Sequence, residues 1–191
     1  MRKRRIRATQ GSMTMGQRGF ANIPRANIQR SVFNRSHGLK SAFDAGFLVP
    51  VFIDEALPGD TMSLQTTAFI RMATPIQPVM DSLWAEFFFF FVPNRLVWNN
   101  WQKFCGEQDD PGDSTDFLVP QVTAPVGGFP EESVADYFGI PIDVEVDVNA
   151  LHFRALNLIW NEWFRDENLQ DSLPVLKDDG PDGWSNYSQY G

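Results

Sequence analysis

Residues 82–101 read SLWAEFFFFFVPNRLVWNNW, with five consecutive phenylalanines, Phe87, Phe88, Phe89, Phe90 and Phe91, at the centre. Glu86 and Pro93 bound the run, so it is far short of the roughly 20 apolar residues that cross a bilayer as a helix. As a β-strand it sends Phe87, Phe89 and Phe91 to one face and Phe88 and Phe90 to the other. A strand with one wet face alternates apolar and polar residues; this one demands apolar cover on both sides. Such cover comes from the chain's own layers, from insertions, or from another subunit.

Two segments further along offer part of that cover. In NRLVWNNWQKFC, residues Val97, Trp98, Trp101, Phe104 and Cys105 fall on one helical stripe, with Asn94 as N-cap and Gly106 as the stop. In VNALHFRALNLIWNEWFRDENLQDS, capped by Asn149, the apolar stripe is Leu156, Ile159, Trp160 and Trp163. Arg154, Asn157, Asn161 and Arg165 line its polar side. One face of the Phe run is therefore expected under these helices or a neighbouring subunit, which makes Phe87 to Phe91, Trp98, Trp101, Trp160 and Trp163 the expected core or interface residues.

The remaining elements are shorter. AGFLVPVFIDEALPGDT reads as an edge or bulged strand, because Pro50 removes a ladder donor and Pro58-Gly59-Asp60 forms a turn. Met62 to Met72 alternates as a half-buried strand. FPEESVADYFGIP reads as a short helix closed by Gly139 and Pro141, with Glu131 and Glu132 at its positive end. IDVEVDV reads as a strand whose Asp143, Glu145 and Asp147 share one face, either solvated or in contact with a basic neighbour or a cation. The stretch LKDDGPDGWSNYSQYG reads as a loop without a closing element.

Charge divides the chain sharply. Residues 1–40 hold ten Lys or Arg and no carboxylate, which leaves six basic residues against 24 acidic ones in the remainder. A basic arm before an acidic body points to a polyanionic partner, since Lys and Arg gain free energy by releasing counterions from phosphates. The residues expected to meet that polyanion, DNA in the resemblance given below, are Arg2, Lys3, Arg4, Arg5, Arg7, Arg18, Arg25 and Arg30. Phe20 and Phe33 either stack on unpaired bases or pin the arm to the body.

Catalytic and metal chemistry find little support. Cys105 lies on a core stripe, and neither His37 nor His152 is placed to act as its base. His152 has no Cys or second His at ligand spacing. The acidic loop EQDDPGDSTDF breaks the helix-loop-helix calcium pattern, with Pro111 or Gly112 at the third ligand position. No cofactor and no metal are expected. With one cysteine and no apolar stretch after the charged start, neither an internal disulfide nor a secretory signal is expected.

Three long motifs, FFFVPNRLVWNNWQKFCGE, VNALHFRALNLIWNEWFRDENLQDSLPV and DDGPDGWSNY, together with the N-terminal GSMTMGQRGFANIPRANIQRSVFNRSHGLKSAFDAGFLVPVFIDEALPGDT, resemble the major capsid proteins of gokushovirus-type microviruses, bacteriophages with circular single-stranded DNA. The resemblance covers nearly the whole chain; His152 stands where those proteins usually have proline. It implies a mainly β fold with helical insertions near 94–105, 131–138 and 149–168: a viral jelly-roll β-sandwich, incomplete here because four strand runs are found where eight are needed. It implies a basic, extended arm over residues 1–43 and the N-terminal part of the capsid domain over 44–191. The implied function is structural and non-enzymatic, a T=1 icosahedral shell around single-stranded DNA with the arm facing the genome. The implied partners are further copies of the chain, the DNA genome and other virion and scaffolding proteins, without a membrane. The implied location is the virion, assembled in the host bacterial cytoplasm.

Three other classes stay open on residues alone. A nucleic-acid-binding module would share the basic arm but carry a basic body as well. A carbohydrate-binding β-sandwich would pair carboxylates in a cleft with exposed tryptophans. A polybasic membrane anchor or localisation tag would bind lipid through the arm alone.

Overall fold

The computed structural model describes residues 29–187. The chain divides into two units, Met1–Gly38 and Leu39–Gly191. In the first, the described residues 29–38 are exposed and lack regular structure, with a local turn in which the Ser36 N–H donates to Asn34 Oδ1 at 3.0 Å.

The second unit begins with a long extended belt, residues 39–92. Its three expected strands are extended but carry no ladder pairing among the described residues, and every fully buried apolar residue lies later, between Val97 and Tyr187. The expectation of strands over 45–57, 62–72 and 82–92 is thus corrected: apolar alternation sets an extended backbone, but a sheet also needs a neighbouring strand to receive its N–H and C=O groups.

After Pro93 the chain folds compactly. A 3₁₀ turn at Asn94–Leu96 and a short helix α1, Trp101–Phe104, replace the continuous helix expected there. The break at Val97–Asn100 turns Trp98 fully inward, while Cys105, expected in the core, is exposed. Helix α2, Val134–Tyr137, is capped by Ser133, whose hydroxyl accepts from the Asp136 N–H, and Gly139 ends it with φ +78°. Strands β1, Gln121–Thr123, β2, Asp147–Asn149, and β3, Asp182–Gly183, form a small mixed sheet in the order β2-β1-β3, with β1 antiparallel to β2 and parallel to β3. Its register places Val122 opposite Val148 and Asp182. Gly128, at φ +92°, abuts this region so closely that an added Cβ would meet Val144 N at 2.2 Å. Glycine is required there on both counts.

Helix α3, Leu151–Ile159, organises the rest. Asn149 Oδ1 accepts from the Leu151 N–H at 2.9 Å, the expected cap, and the last turn widens into a π turn at Trp160–Phe164. The helix separates two apolar clusters. Phe153 and Leu156 join Val122, Phe129, Val134, Ala135 and Tyr187 on one side. On the other, Leu151, with Ala155 and Leu158, meets Val97, Trp98 and Trp101. A helix so placed is buried around most of its circumference, and its polar residues must find partners inside the protein.

Those partners come from residues 170–187, of which 176–187 fall in the segment expected to be a loop without a closing element. Arg154 and Asn157, expected on a solvent-facing side, are fully buried. The stripe Arg154, Asn157, Asn161 and Arg165 is met in antiparallel order by the returning chain. Arg165 Nη1 donates to Gln170 O at 3.0 Å. Asn161 Nδ2 donates to Leu173 O, and the Leu173 N–H donates back to Asn161 Oδ1, both at 2.8 Å. Asn157 Nδ2 donates to Pro174 O at 2.8 Å, and Arg154 Nη1 to Asp178 O at 3.0 Å. The segment then ends in the core, with Asp182 and Tyr187 both buried.

Candidate assembly surface

Two features of the second unit bear on function: a buried ionic centre that shapes the molecule and an aromatic belt that it leaves open.

At the ionic centre, Arg154 forks onto Asp182, with Nε donating to Oδ2 at 2.8 Å and Nη2 to Oδ1 at 2.7 Å, and both side chains are fully buried. Nη1 also donates to Val97 O at 3.1 Å, and the Tyr187 hydroxyl donates to Asp182. Burial pulls the Arg154 pKa down, but the hydrogen bond and charge of Asp182 outweigh it, and the net direction is upward. Asp179 performs a related task at the surface, accepting from Trp98 Nε1 and from Asn100 Nδ2. Sequence reasoning missed Asp178, Asp179, Asp182 and Tyr187. The available signal was Arg154 itself, a cation in a helix with apolar residues on nearly every side, upstream of a carboxylate-rich DDGPD.

Tyr187 gives this centre a pH dependence. Burial first, then the hydrogen bond and charge of Asp182, raise its pKa above the ordinary 10.0. Above pH 10 the unfolded chain releases this proton while the folded chain keeps it. The stabilisation is therefore complete below pH 10 and is lost as pH rises, by up to about 1.4 kcal/mol per pH unit. Tyr137 shifts the same way, through burial and then the charges of Glu132, Asp136 and Asp44. The urea midpoint should stay level from neutral pH to about 9 and fall above about 10; Tyr187→Phe should weaken that fall, Tyr137 supplying the remainder.

In the belt, the two-sided cover expected for the Phe run is not found within the described chain: only Phe90 is half-buried, and Phe88 at 53% is as exposed as its neighbours. Phe90 packs at 5.6 Å from Trp163 and 6.0 Å from Phe164, and Phe88 at 5.5 Å from Phe164. On the other face Phe87 is 43%, Phe89 51% and Phe91 79% exposed, with Phe52 edge-on to Phe89 as a ring neighbour. Trp98 and Trp101 do not reach the run; they pack with each other and with Phe104 at 5.2–6.1 Å, held there by the turn after Pro93. Trp160 is half-buried and Trp163 largely exposed. Further exposed apolar residues, including Phe47, Phe69, Met80 and Trp84, continue the surface along the belt. Exposed apolar residues in such number make this belt the candidate surface for contact with further polypeptide.

Of the arm residues expected to contact DNA, Arg30 is described and exposed; Arg2, Lys3, Arg4, Arg5, Arg7, Arg18 and Arg25 lie outside the described residues, as does Phe20. Phe33 is exposed. Asp143, Glu145 and Asp147 are exposed, with Glu145 Oε1 accepting from the Gly127 N–H at 2.9 Å. His152 Nε2 lies 3.1 Å from Glu55 Oε1, joining α3 to the belt. Among the described residues no group of three or more His, Cys, Asp or Glu side chains is arranged to hold a metal ion, and no helix is long and apolar enough to cross a membrane.

Comparison with known proteins agrees with an assembly surface. The chain is 55% identical over 172 residues to Capsid protein VP1 of Bdellovibrio phage phiMH2K, a match covering 90% of this chain and 32% of that relative. It is 50% identical over 167 residues to Capsid protein VP1 of Chlamydia phage 1, covering 84% and 28%. Against Capsid protein VP1 of Spiroplasma virus 4 the identity is 36% over 171 residues, covering 88% and 31%. The chain spans about a third of the length of the curated relatives it matches. The family described as Capsid protein (F protein), one of structural proteins and not enzymes, matches residues 21–190. With nearly the whole sequence inside that match, the chain belongs to the phage capsid protein (F protein) family.

Proposed function

We propose that the chain acts as capsid protein, copies of it assembling into a small T=1 icosahedral shell that encloses circular single-stranded DNA. The family match over residues 21–190 carries this reading, and the exposed Phe87, Phe88, Phe89 and Phe91 support it by supplying apolar surface for assembly. In this reading the belt belongs to a jelly-roll β-sandwich, whose further strands pair with its extended segments and cover its second face. The arm of residues 1–43 faces the genome, its arginines offsetting the repulsion between DNA and an acidic body. Other virion and scaffolding proteins complete the partners, and assembly takes place in the host bacterial cytoplasm. Electron microscopy of purified material tests the shell directly: uniform small spherical particles are expected, and dispersed chains under all assembly conditions would count against it.

The genome-facing arm has its own test. Binding of single-stranded DNA should be independent of sequence, with a logarithmic salt slope of about −0.7 per phosphate neutralised. Deleting residues 1–7 removes Arg2, Lys3, Arg4, Arg5 and Arg7. The deletion should flatten that slope while leaving unfolding of the body unchanged; an unchanged slope would falsify the genome-facing arm. If the arm instead binds carboxylates such as Asp143, Glu145 and Asp147 on neighbouring copies, the same deletion impairs assembly without DNA and leaves DNA affinity intact.

A further inference from the structure

We propose that residues 170–187 form a strap that zips as one unit onto the polar stripe of α3 and opens as one unit, leaving the α2 side of the core in place. Three observations carry this inference, none of which depends on the capsid reading.

The first is the pattern of attachment. Arg165, Asn161, Asn157 and Arg154, spaced to share one side of the helix, engage Gln170, Leu173, Pro174 and Asp178 in turn. The helix thus offers a ready track of donors for an extended chain, and the strap fills it with backbone carbonyls and one buried carboxylate.

The second is that the strap holds regions distant from one another. Lys177 O accepts from the Asn99 N–H at 2.9 Å, and Asp179 accepts from Trp98 Nε1 and Asn100 Nδ2. Asp182 and Gly183 pair with Val122 and Thr123 as β3, and Tyr187 fills the first apolar cluster. Peeling the strap off residue by residue would leave Arg154 buried without its carboxylate, a high-energy intermediate. That penalty makes partial release unfavourable, so the strap behaves as a cooperative unit.

The third is what the strap does not touch in its hydrogen bonding. Tyr137 and Phe138 N–H groups donate to Ser133 O and Val134 O, Ala150 N–H donates to Pro120 O, and β1 pairs with β2, all without the strap. Phe138 and Phe153 pack ring to ring at 5.0 Å. Trp184 and Tyr187 of the strap do pack on Phe129 and Phe153, so release uncovers that flank, but the bonds just named and the Phe138–Phe153 contact are made without the strap. The strap is accordingly a closing device: the Arg154 charge has no carboxylate partner in the core until Asp182 docks.

Native-state hydrogen exchange on the whole chain tests this. Asn161→Ala removes two hydrogen bonds at the half-buried middle of the track, a change on the order of 30-fold in the opening equilibrium. Exchange at the Asn99 and Tyr187 amides should accelerate by that same factor, although neither residue contacts Asn161 in the stated bonds; the Leu173 amide, which loses its acceptor outright, should accelerate at least as much. Exchange at Tyr137, Phe138 and Ala150 should change less than about twofold. Acceleration confined to Leu173 and its neighbours would mean local fraying, and equal acceleration at Tyr137 and Phe138 would mean one undivided core; either overturns the proposal.

Discussion

Arg154→Met should be among the most damaging single substitutions in the described chain, costing about 3–5 kcal/mol of unfolding free energy. Methionine fills much of the volume of the arginine stem but returns none of its bonds to Asp182, Val97 O and Asp178 O. The loss arises chiefly from the carboxylate left behind, since Asp182 stays fully buried with only the Tyr187 hydroxyl among the stated side-chain partners. Removing that orphaned charge as well, in Arg154→Met with Asp182→Leu, should recover a large part of the loss, because an apolar pair of similar volume incurs no desolvation penalty. Urea unfolding of the two variants and the parent, compared at constant m value, measures both effects. A double variant no better than the single one would mean that the arginine acts through packing and its backbone carbonyls rather than through its charge.

Phe90 and Phe91 should respond to a charge in opposite ways. Phe90→Asp places a carboxylate against Trp163 and Phe164 within the chain, and about 2–4 kcal/mol of stability should be lost before assembly is considered. Phe91, 79% exposed, touches little in its own chain. Phe91→Asp should leave unfolding within about 0.5 kcal/mol of the parent and yet abolish particle formation in electron microscopy, because the carboxylate would then be buried by whatever covers that face on assembly. Particles formed in normal yield by Phe91→Asp would show that the odd-numbered face stays in water, and the aromatic belt would no longer support the assembly reading.

These outcomes separate what could be read from residues from what could not. Some helix ends were legible: Asn149 before α3, and Gly106 and Gly139 after α1 and α2, act within a few residues of their own backbone, so local chemistry suffices to place them; the start at Asn94 was not, since that residue opens only a 3₁₀ turn and α1 begins at Trp101. The contact of Phe90 with Trp163 was legible as well, because Trp163 lies on a helix whose apolar residues could be counted. The strands were not. Apolar alternation over 45–92 specifies an extended chain, but pairing depends on neighbours distant in sequence, and among the described residues the belt has none. The sheet that does form joins β2 to β1 and β3, and the last two, of three and two residues, are too short to display a period of two.

The family and the charge asymmetry between arm and body followed from the sequence by itself, since both are properties of residue order. Tertiary structure alone decided the fate of the polar stripe on α3. Helical spacing put Arg154, Asn157, Asn161 and Arg165 on one side and by itself implied water there, but a donor on a helix is satisfied equally well by solvent or by a returning chain. Which of the two occurs depends on whether residues 170–187 can reach the stripe with a carboxylate at the depth of Arg154. Asp182, 28 residues further along, does so.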